Sequence, residues 1–256
     1  MRVLTFFNHS GGAGKTSLTR DIGYELSTRG LRVLLIDLDP QANLSSALGV
    51  STTDLADTVY RTVIEDEPLP TPVDAHGMGI IPSMIDLAMA EAQMPGVVGA
   101  ELALRTHLQL LKSQQDVVLI DSPPSLGALA VLAALAADQL IVPVPTKDKG
   151  ILGLRGVQRA LRMYRRLRPD LSIGLYIPTM YDRRALHDRE TLDTIRAQLS
   201  PVASEMSLRG AVWNDSWRAQ KPVRLFDPSS DVVTQVQRVT DELIAAVGLP
   251  DGVTHG

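Results

Sequence analysis

No cysteine occurs among the 256 residues, which excludes disulfides, iron–sulfur ligation and thiol catalysis together. The opening residues do not read as a leader segment. The chain opens directly into Arg2-Val3-Leu4-Thr5-Phe6-Phe7, without the basic region and apolar core of a signal peptide, so a soluble cytoplasmic protein is expected. No undivided hydrophobic run is long enough to cross a bilayer. The greasiest stretch, Leu126 to Pro145, is cut by Asp138 and Gln139 into a helix-length and a strand-length piece, which reads as a buried helix followed by a buried strand. Acidic residues are missing from one region: between Ile151 and Pro169 there is no Asp or Glu. The net charge of −4 argues against a nucleic-acid partner when taken alone, but it hides an asymmetry. Thr146 to Arg224 holds 16 Lys and Arg against 8 Asp and Glu, so this third of the chain carries +8 and the remainder −12. Such separation favours a basic face on an otherwise acidic protein. With 45% apolar residues the chain can bury a substantial core, and its length fits one α/β domain over 1–256, with 249–256 expected as a flexible tail.

The rest of the chain is organised around Asn8-His9-Ser10-Gly11-Gly12-Ala13-Gly14-Lys15-Thr16-Ser17. An apolar, β-branched run precedes it and the helical spacing of Leu18 to Leu26 follows, so the order is strand, glycine loop, helix. That order makes a phosphate cradle. Glycines let successive backbone N–H groups turn inward, and the first helical turn adds unpaired donors and the positive end of its dipole. Lys15 would sit on the β- and γ-phosphates and the Thr16 hydroxyl on Mg²⁺. The usual first glycine of the motif, five residues before Gly14, falls on His9, so the general P-loop pattern is not met.

Two further apolar strands end in acids. Arg32 to Asp37 runs into Asp37-Leu38-Asp39-Pro40-Gln41, and Asp116 to Asp121 into Ser122-Pro123-Pro124. Apolar throughout, both read as central parallel strands covered on two faces. Their acids fall at the carboxyl edge, where doubly wound sheets bind ligands. There Asp37 and Asp39 can hold Mg²⁺ through water or orient an attacking water; the alternative is a turn with a helix cap at Asn43 or Ser45. Asp121 has the form of a Walker B acid facing the P-loop Thr and its metal. Gln139 to Val144 and Leu171 to Pro178 read as later strands and Gly79 to Pro82 as a short edge strand. Ser51 to Gly77 reads as loop, with a short helix near Leu55 to Val63. The fold class predicted is α/β: a doubly wound, mostly parallel sheet with helices on both faces.

Four segments in this order resemble the ParA/MinD family of deviant Walker A ATPases, and its ParA-type (Soj-like) branch in particular: the glycine loop, Asp37-x-Asp39-Pro40-Gln41, Ile120-Asp121-x-Pro123-Pro124, and Pro178-Thr179-Met180-Tyr181-Asp182. The leading lysine of the family loop is Ser10 here. The resemblance implies a P-loop NTPase that binds ATP and Mg²⁺, closes as a homodimer around ATP, holds double-stranded DNA without sequence preference and associates with the nucleoid. Its weak ATPase activity would be stimulated by a ParB-like or other cargo adaptor. The cargo would be a plasmid, a chromosome origin or a protein assembly such as carboxysomes; a nucleotide-gated scaffold with little hydrolysis is the rival reading. By the same resemblance Ser10, Gly11, Gly12, Ala13, Gly14, Lys15, Thr16 and Ser17 hold the phosphates, and Thr16, Asp37, Asp39 and Asp121 form the metal shell. Asp39 matches the water-positioning acid, and Pro178, Thr179, Met180, Asp227 and Pro228 lie near the adenine. A membrane cycler is disfavoured because Arg238 is the only basic residue after Asp231. A metabolic P-loop ligase would leave the basic stretch without a role.

That stretch gives the DNA reading a surface. Arg155, Arg159, Arg162 and Arg166 recur at helical spacing in the helix read over Ile151 to Leu167, and Arg209 and Arg218 follow at a distance. Trp213 and Trp217, four apart, would either stack on a partner or pair as buried apolar residues. Because Ser10 has neither the reach nor the charge of a lysine, another cation is expected to cross the dimer interface, with Lys149 the first candidate and Lys147 the second.

Overall fold

The computed structural model describes residues 1–252, apart from the side chains of 148, 149, 151 and 152. Seven strands form one sheet: β1 (Arg2–Phe6), β2 (Val33–Asp37), β3 (Val73–Ala75), β4 (Met78–Ile81), β5 (Val117–Asp121), β6 (Gln139–Pro145) and β7 (Ser172–Thr179). The order across it is β3-β4-β2-β5-β1-β6-β7, and every neighbouring pair is parallel except β3 with β4. The helices are α1 (Lys15–Thr28), α2 (Asn43–Ala47), α3 (Tyr60–Ile64), α4 (Ala88–Gln93), α5 (Ala100–Leu108), α6 (Ala128–Ala136), α7 (Asp148–Tyr164), α8 (Leu186–Gln198), α9 (Gly210–Arg218), α10 (Val223–Phe226) and α11 (Asp231–Val247).

The continuous apolar runs of the central strands have a direct cause: successive side chains enter different cores. Leu4 and Phe6 of β1, Leu35 of β2 and Leu119 of β5 pack with α1 and α11, whereas Val3, Leu34, Ile36, Val118 and Ile120 face α3 to α6. A third cluster joins β6, α6 and α7 through Val142, Leu135, Val157 and Leu161. Each fully buried aliphatic side chain contributes about 1.5–3 kcal/mol, so a sheet covered on two faces holds its central strands firmly.

Three expectations change. Gly79 lies in β4, which is not the edge; the edge is β3, inside the stretch read as loop. His76 and Gly77, both left-handed at φ 56° and 83°, turn the chain back so that β3 pairs antiparallel with β4. The arginine helix runs Asp148–Tyr164, so Arg166 lies beyond its end. Leu249, placed in the tail by composition, is only 8% exposed and packs into the α1/α11 core after Gly248 caps α11 in the left-handed conformation. Of that tail, residues 253–256 lie outside the described residues.

Candidate nucleotide site and the basic helix

Parallel pairing brings three strand ends into line: Phe6 is in register with Asp121, and Asp121 with Asp37. The glycine loop leaves β1 at that edge. Asn8, fully buried, ties it down: its side-chain amide donates to the Pro143 carbonyl at 2.7 Å, and its Oδ1 accepts the Ser10 N–H at 2.9 Å. Gly12 and Gly14 adopt φ of 71° and 96°, values at which a side chain would be strained, and α1 starts immediately afterwards. Lys15 is buried, its Nζ 3.5 Å from the Ser10 carbonyl oxygen. Burial lowers its ammonium pKa, opposed by the charges of Asp121 and Asp39.

The acids divide into two kinds. Thr16 donates its hydroxyl to Asp121 Oδ2 at 2.6 Å, while Asp121 Oδ1 is buried without a hydrogen-bond partner. Asp37 is satisfied within the protein: Oδ2 accepts from the Ser45 N–H (2.9 Å) and hydroxyl (2.7 Å), and Oδ1 from the Asp39 N–H (3.1 Å). Burial pushes the Asp37 carboxyl up to about 6, and burial together with the Asp37 charge raises Asp121 well above the ordinary carboxylate range. Asp37 thus secures α2 and the turn that presents Asp39, and only Asp39 of the two reaches the cavity. The alternative of a helix cap at Asn43 or Ser45 is not met: Ala42 precedes α2 without a side-chain cap bond, and both residues lie inside the helix.

A cavity of about 380 Å³ opens beside the loop. Its floor runs from Gly12 to Leu18, and Asp39 lines one side. Thr179 and Met180 line it as expected, whereas Ser10, Gly11, Asp37, Asp121, Pro178, Asp227 and Pro228 do not. Asp227 instead accepts from its own turn, from Ser229 N–H and hydroxyl, which corrects its assignment to the adenine wall. The wall in its place is Met206 to Gly210 with Trp213, Asn214 and Trp217 of α9. Backbone bonds from Met206 N–H to Pro178 and from Leu208 N–H to Tyr181 lay that segment beside the end of β7. α9 is held to α1 by a buried network: Arg20 donates to Asp21 and Ser216, both at 2.8 Å, and Asp21 accepts the Val223 N–H. Trp213 and Trp217 are half-buried and form the cavity's aromatic side, and Trp213 also packs against the α1/α11 core. Their spacing of four was the available signal, but nothing local placed them opposite the glycine loop.

The site fits a phosphate with a divalent cation on two observations of its own: left-handed glycines at a helix start, and an orphaned carboxylate oxygen next to a threonine hydroxyl. A family described as "AAA domain" matches residues 1–173. The chain is 41% identical to the "Probable plasmid-partitioning protein ParA" of Thermus thermophilus over all of this chain and 82% of that one. The chain belongs to the ParA family. It is also 30% identical to the sporulation initiation inhibitor protein Soj of Bacillus subtilis, over 90% of this chain and 92% of that one. Among solved structures, cobyrinic acid a,c-diamide synthase from Mycobacterium smegmatis with ADP and magnesium superposes with a TM-score of 0.83 at 32% identity, covering 97% and 96% of the two chains.

On this ParA-family chain the basic residues fall into two groups. Arg155, Arg159 and Arg162 of α7 and Arg166 just past it are exposed, and among the described residues none has an acidic partner within ion-pair distance. Arg209 differs: it forks onto Asp231, with Nη2 2.6 Å from Oδ2, and lies on the cavity wall, so its charge is already offset. Arg218 stands 3.8 Å from Asp215 and is largely exposed. Lys147 is bonded to the buried Asp188, which removes it as a free cation, and the side chain of Lys149 lies outside the described residues. No described helix is long and apolar enough to cross a membrane.

Proposed function

We propose that this ParA-family chain is a weak MgATP-dependent partition ATPase of the cytoplasm. It closes as a dimer around ATP, binds duplex DNA through α7 without reading sequence, and lets go after hydrolysis stimulated by a ParB-like or other cargo adaptor. The observation that carries the nucleotide half is the convergence of Lys15, Thr16 and Asp39 on one cavity, with Asp121 bonded behind Thr16 at an aligned strand edge. Gly12 to Ser17 would cradle the phosphates, with Lys15 as the point charge on them, and Thr16 with Asp121 would hold Mg²⁺. When bound, the metal neutralises charge developing on the transferred phosphoryl group. Asp39, aimed into the cavity from a turn that Asp37 fixes, would orient the attacking water, and Met180, Trp213 and Trp217 would enclose the base.

Exposed arginines along a single helix, without acidic partners among the described residues, support the DNA half. A scaffold with little hydrolysis is the second reading, favoured by Ser10, which brings no charge to the loop. An amide-forming reaction like that named for the mycobacterial neighbour would leave this basic helix without a role.

The test separates binding from turnover. Lys15→Ala should abolish ATP binding, because the ammonium neutralises phosphate already in the ground state. Asp39→Ala should bind ATP as wild type does and lose turnover by about 100-fold or more, since it acts only on the water. Phosphate release measured with DNA and the adaptor present, beside fluorescent-nucleotide titration, reads both. Equal loss of ATP affinity in the two variants contradicts the assignment of Asp39, and wild-type binding without any release favours the scaffold.

A further inference from the structure

The glycine loop has two sides, and only one faces the cavity. Its first half lies lengthwise against α7, the helix that carries the arginines. The Phe7 ring meets Tyr164 edge-on at 6.0 Å between centroids. Further back along the helix, a Cβ on Gly156 would fall 2.1 Å from His9 Cε1, and one on Gly153 would fall 2.9 Å from Ser10 Oγ. No side chain of α7 separates helix from loop at these two positions. Both neighbours are side-chain atoms, so a methyl group there displaces the ring or the hydroxyl and not the backbone. The ring is closely held: His9 Nδ1 is buried and has no hydrogen-bond partner. From the other side, Lys15 reaches the Ser10 carbonyl with its Nζ, a contact that a phosphate claiming the ammonium would replace.

We infer that His9, seated on Gly156, is the positioning residue through which nucleotide binding at Lys15 moves or stiffens α7 and so sets the presentation of Arg155, Arg159 and Arg162. The inference rests on the reading above that α7 meets DNA under ATP control, and it adds the connection. The physical basis is a contiguous path, Lys15 to Ser10 to His9 to the helix backbone, whose first contact differs between the free and phosphate-bound states. Packed contacts of this kind shift as units and do not deform gradually.

Four full-length proteins test it: wild type, His9→Ala, Gly156→Ala and the double variant. Three readouts are taken with and without MgATP: fluorescent-ATP affinity, amide hydrogen exchange of 153–164, and anisotropy of a non-specific DNA duplex. ATP affinity should stay near wild type in all four. The ATP-induced change in α7 exchange, together with the ATP-induced gain in DNA affinity, should fall about tenfold in each single variant, within the usual span of coupling between sites. Both should largely return in the double variant, where the new methyl group occupies space the imidazole has left. Wild-type ATP response of α7 in His9→Ala and Gly156→Ala overturns the inference, as does a loss of ATP affinity in the single variants, which would make the contact a support of the loop and not a relay. If Gly156→Ala fails to fold, the His9→Ala exchange data decide alone. A wild-type protein whose α7 responds to ATP but which binds no DNA refutes the DNA reading and leaves the relay standing.

Discussion

Asp121 and Asp37 sit side by side at a buried strand edge, and the free protein bears the cost of keeping them there. The Asp37 carboxyl, ordinarily near 3.8, is pushed up to about 6. A group raised on folding contributes stability that is fully present below its unfolded value and lost as pH rises through its folded value. The nucleotide-free protein should therefore lose stability between about pH 4 and pH 7 on account of this pair. Asp121→Asn removes one of the two charges and leaves an oxygen for Thr16. Its thermal midpoint without ligand should exceed wild type at pH 7.5, by about 2–4 °C for each kcal/mol relieved, and the advantage should vanish near pH 4. Turnover should fall in the same variant, because a neutral amide binds a divalent cation poorly. Scanning calorimetry across pH checks the first statement; a midpoint at pH 7.5 equal to or below wild type would show that the two carboxylates share their burden with a proton.

Elements differ in how much of themselves the sequence disclosed, and the division follows the range of the interactions that build them. β1, the glycine loop and α1 are consecutive, so pattern and spacing sufficed; β2 and β5 announced themselves through apolar runs that only a doubly covered sheet demands. The far wall of the cavity was not legible. Met206 to Gly210 reaches the site by pairing with Pro178 and Tyr181, and α9 by the buried Arg20–Asp21–Ser216 network, contacts between residues far apart in sequence. Asp227-Pro228, expected near the adenine, instead follows α10, with Asp227 closing a turn of its own. α7 was legible as a basic helix but not in its last turn, because Arg168 turns inward to donate to the Leu135 carbonyl at 2.6 Å, an interaction periodicity does not encode. Arg159→Glu with Arg162→Glu, both exposed and without acidic partners among the described residues, should change stability by no more than about 0.5 kcal/mol each. The same pair should weaken binding to every duplex sequence alike and flatten the dependence of log affinity on log salt by about one for each phosphate no longer neutralised. Filter binding at several salt concentrations measures it, and wild-type affinity in the variant would make α7 an ordinary solvated face.

At the scale of the whole molecule the open charge balance is across the proposed dimer. The family resemblance implies that the lysine replaced by Ser10 would serve a partner's phosphates, and here the loop is neutral there, its serine hydroxyl turned toward Gly153 of α7. Some other cation must face the partner if the dimer closes on ATP. Lys147 is committed: Asp188, 2% exposed, takes its ammonium, and withdrawing that ammonium would leave a buried carboxylate to its weaker donors. Lys149 stands two residues on, in the first turn of α7 after the carboxyl end of β6, on the edge of the sheet that carries the glycine loop. On this argument the two lysines part company under mutation. Lys149→Ala should bind ATP as a monomer with wild-type affinity and lose ATP-dependent dimerisation, or dimerise and lose turnover, since only an interaction made in trans is gone. Lys147→Ala should dimerise normally and melt at a lower temperature, since what it loses is the pairing of Asp188. Sedimentation velocity with a non-hydrolysed ATP analogue, beside phosphate release and thermal denaturation, distinguishes the two outcomes. Unchanged dimerisation and turnover in both variants would mean that the dimer closes without any lysine in trans.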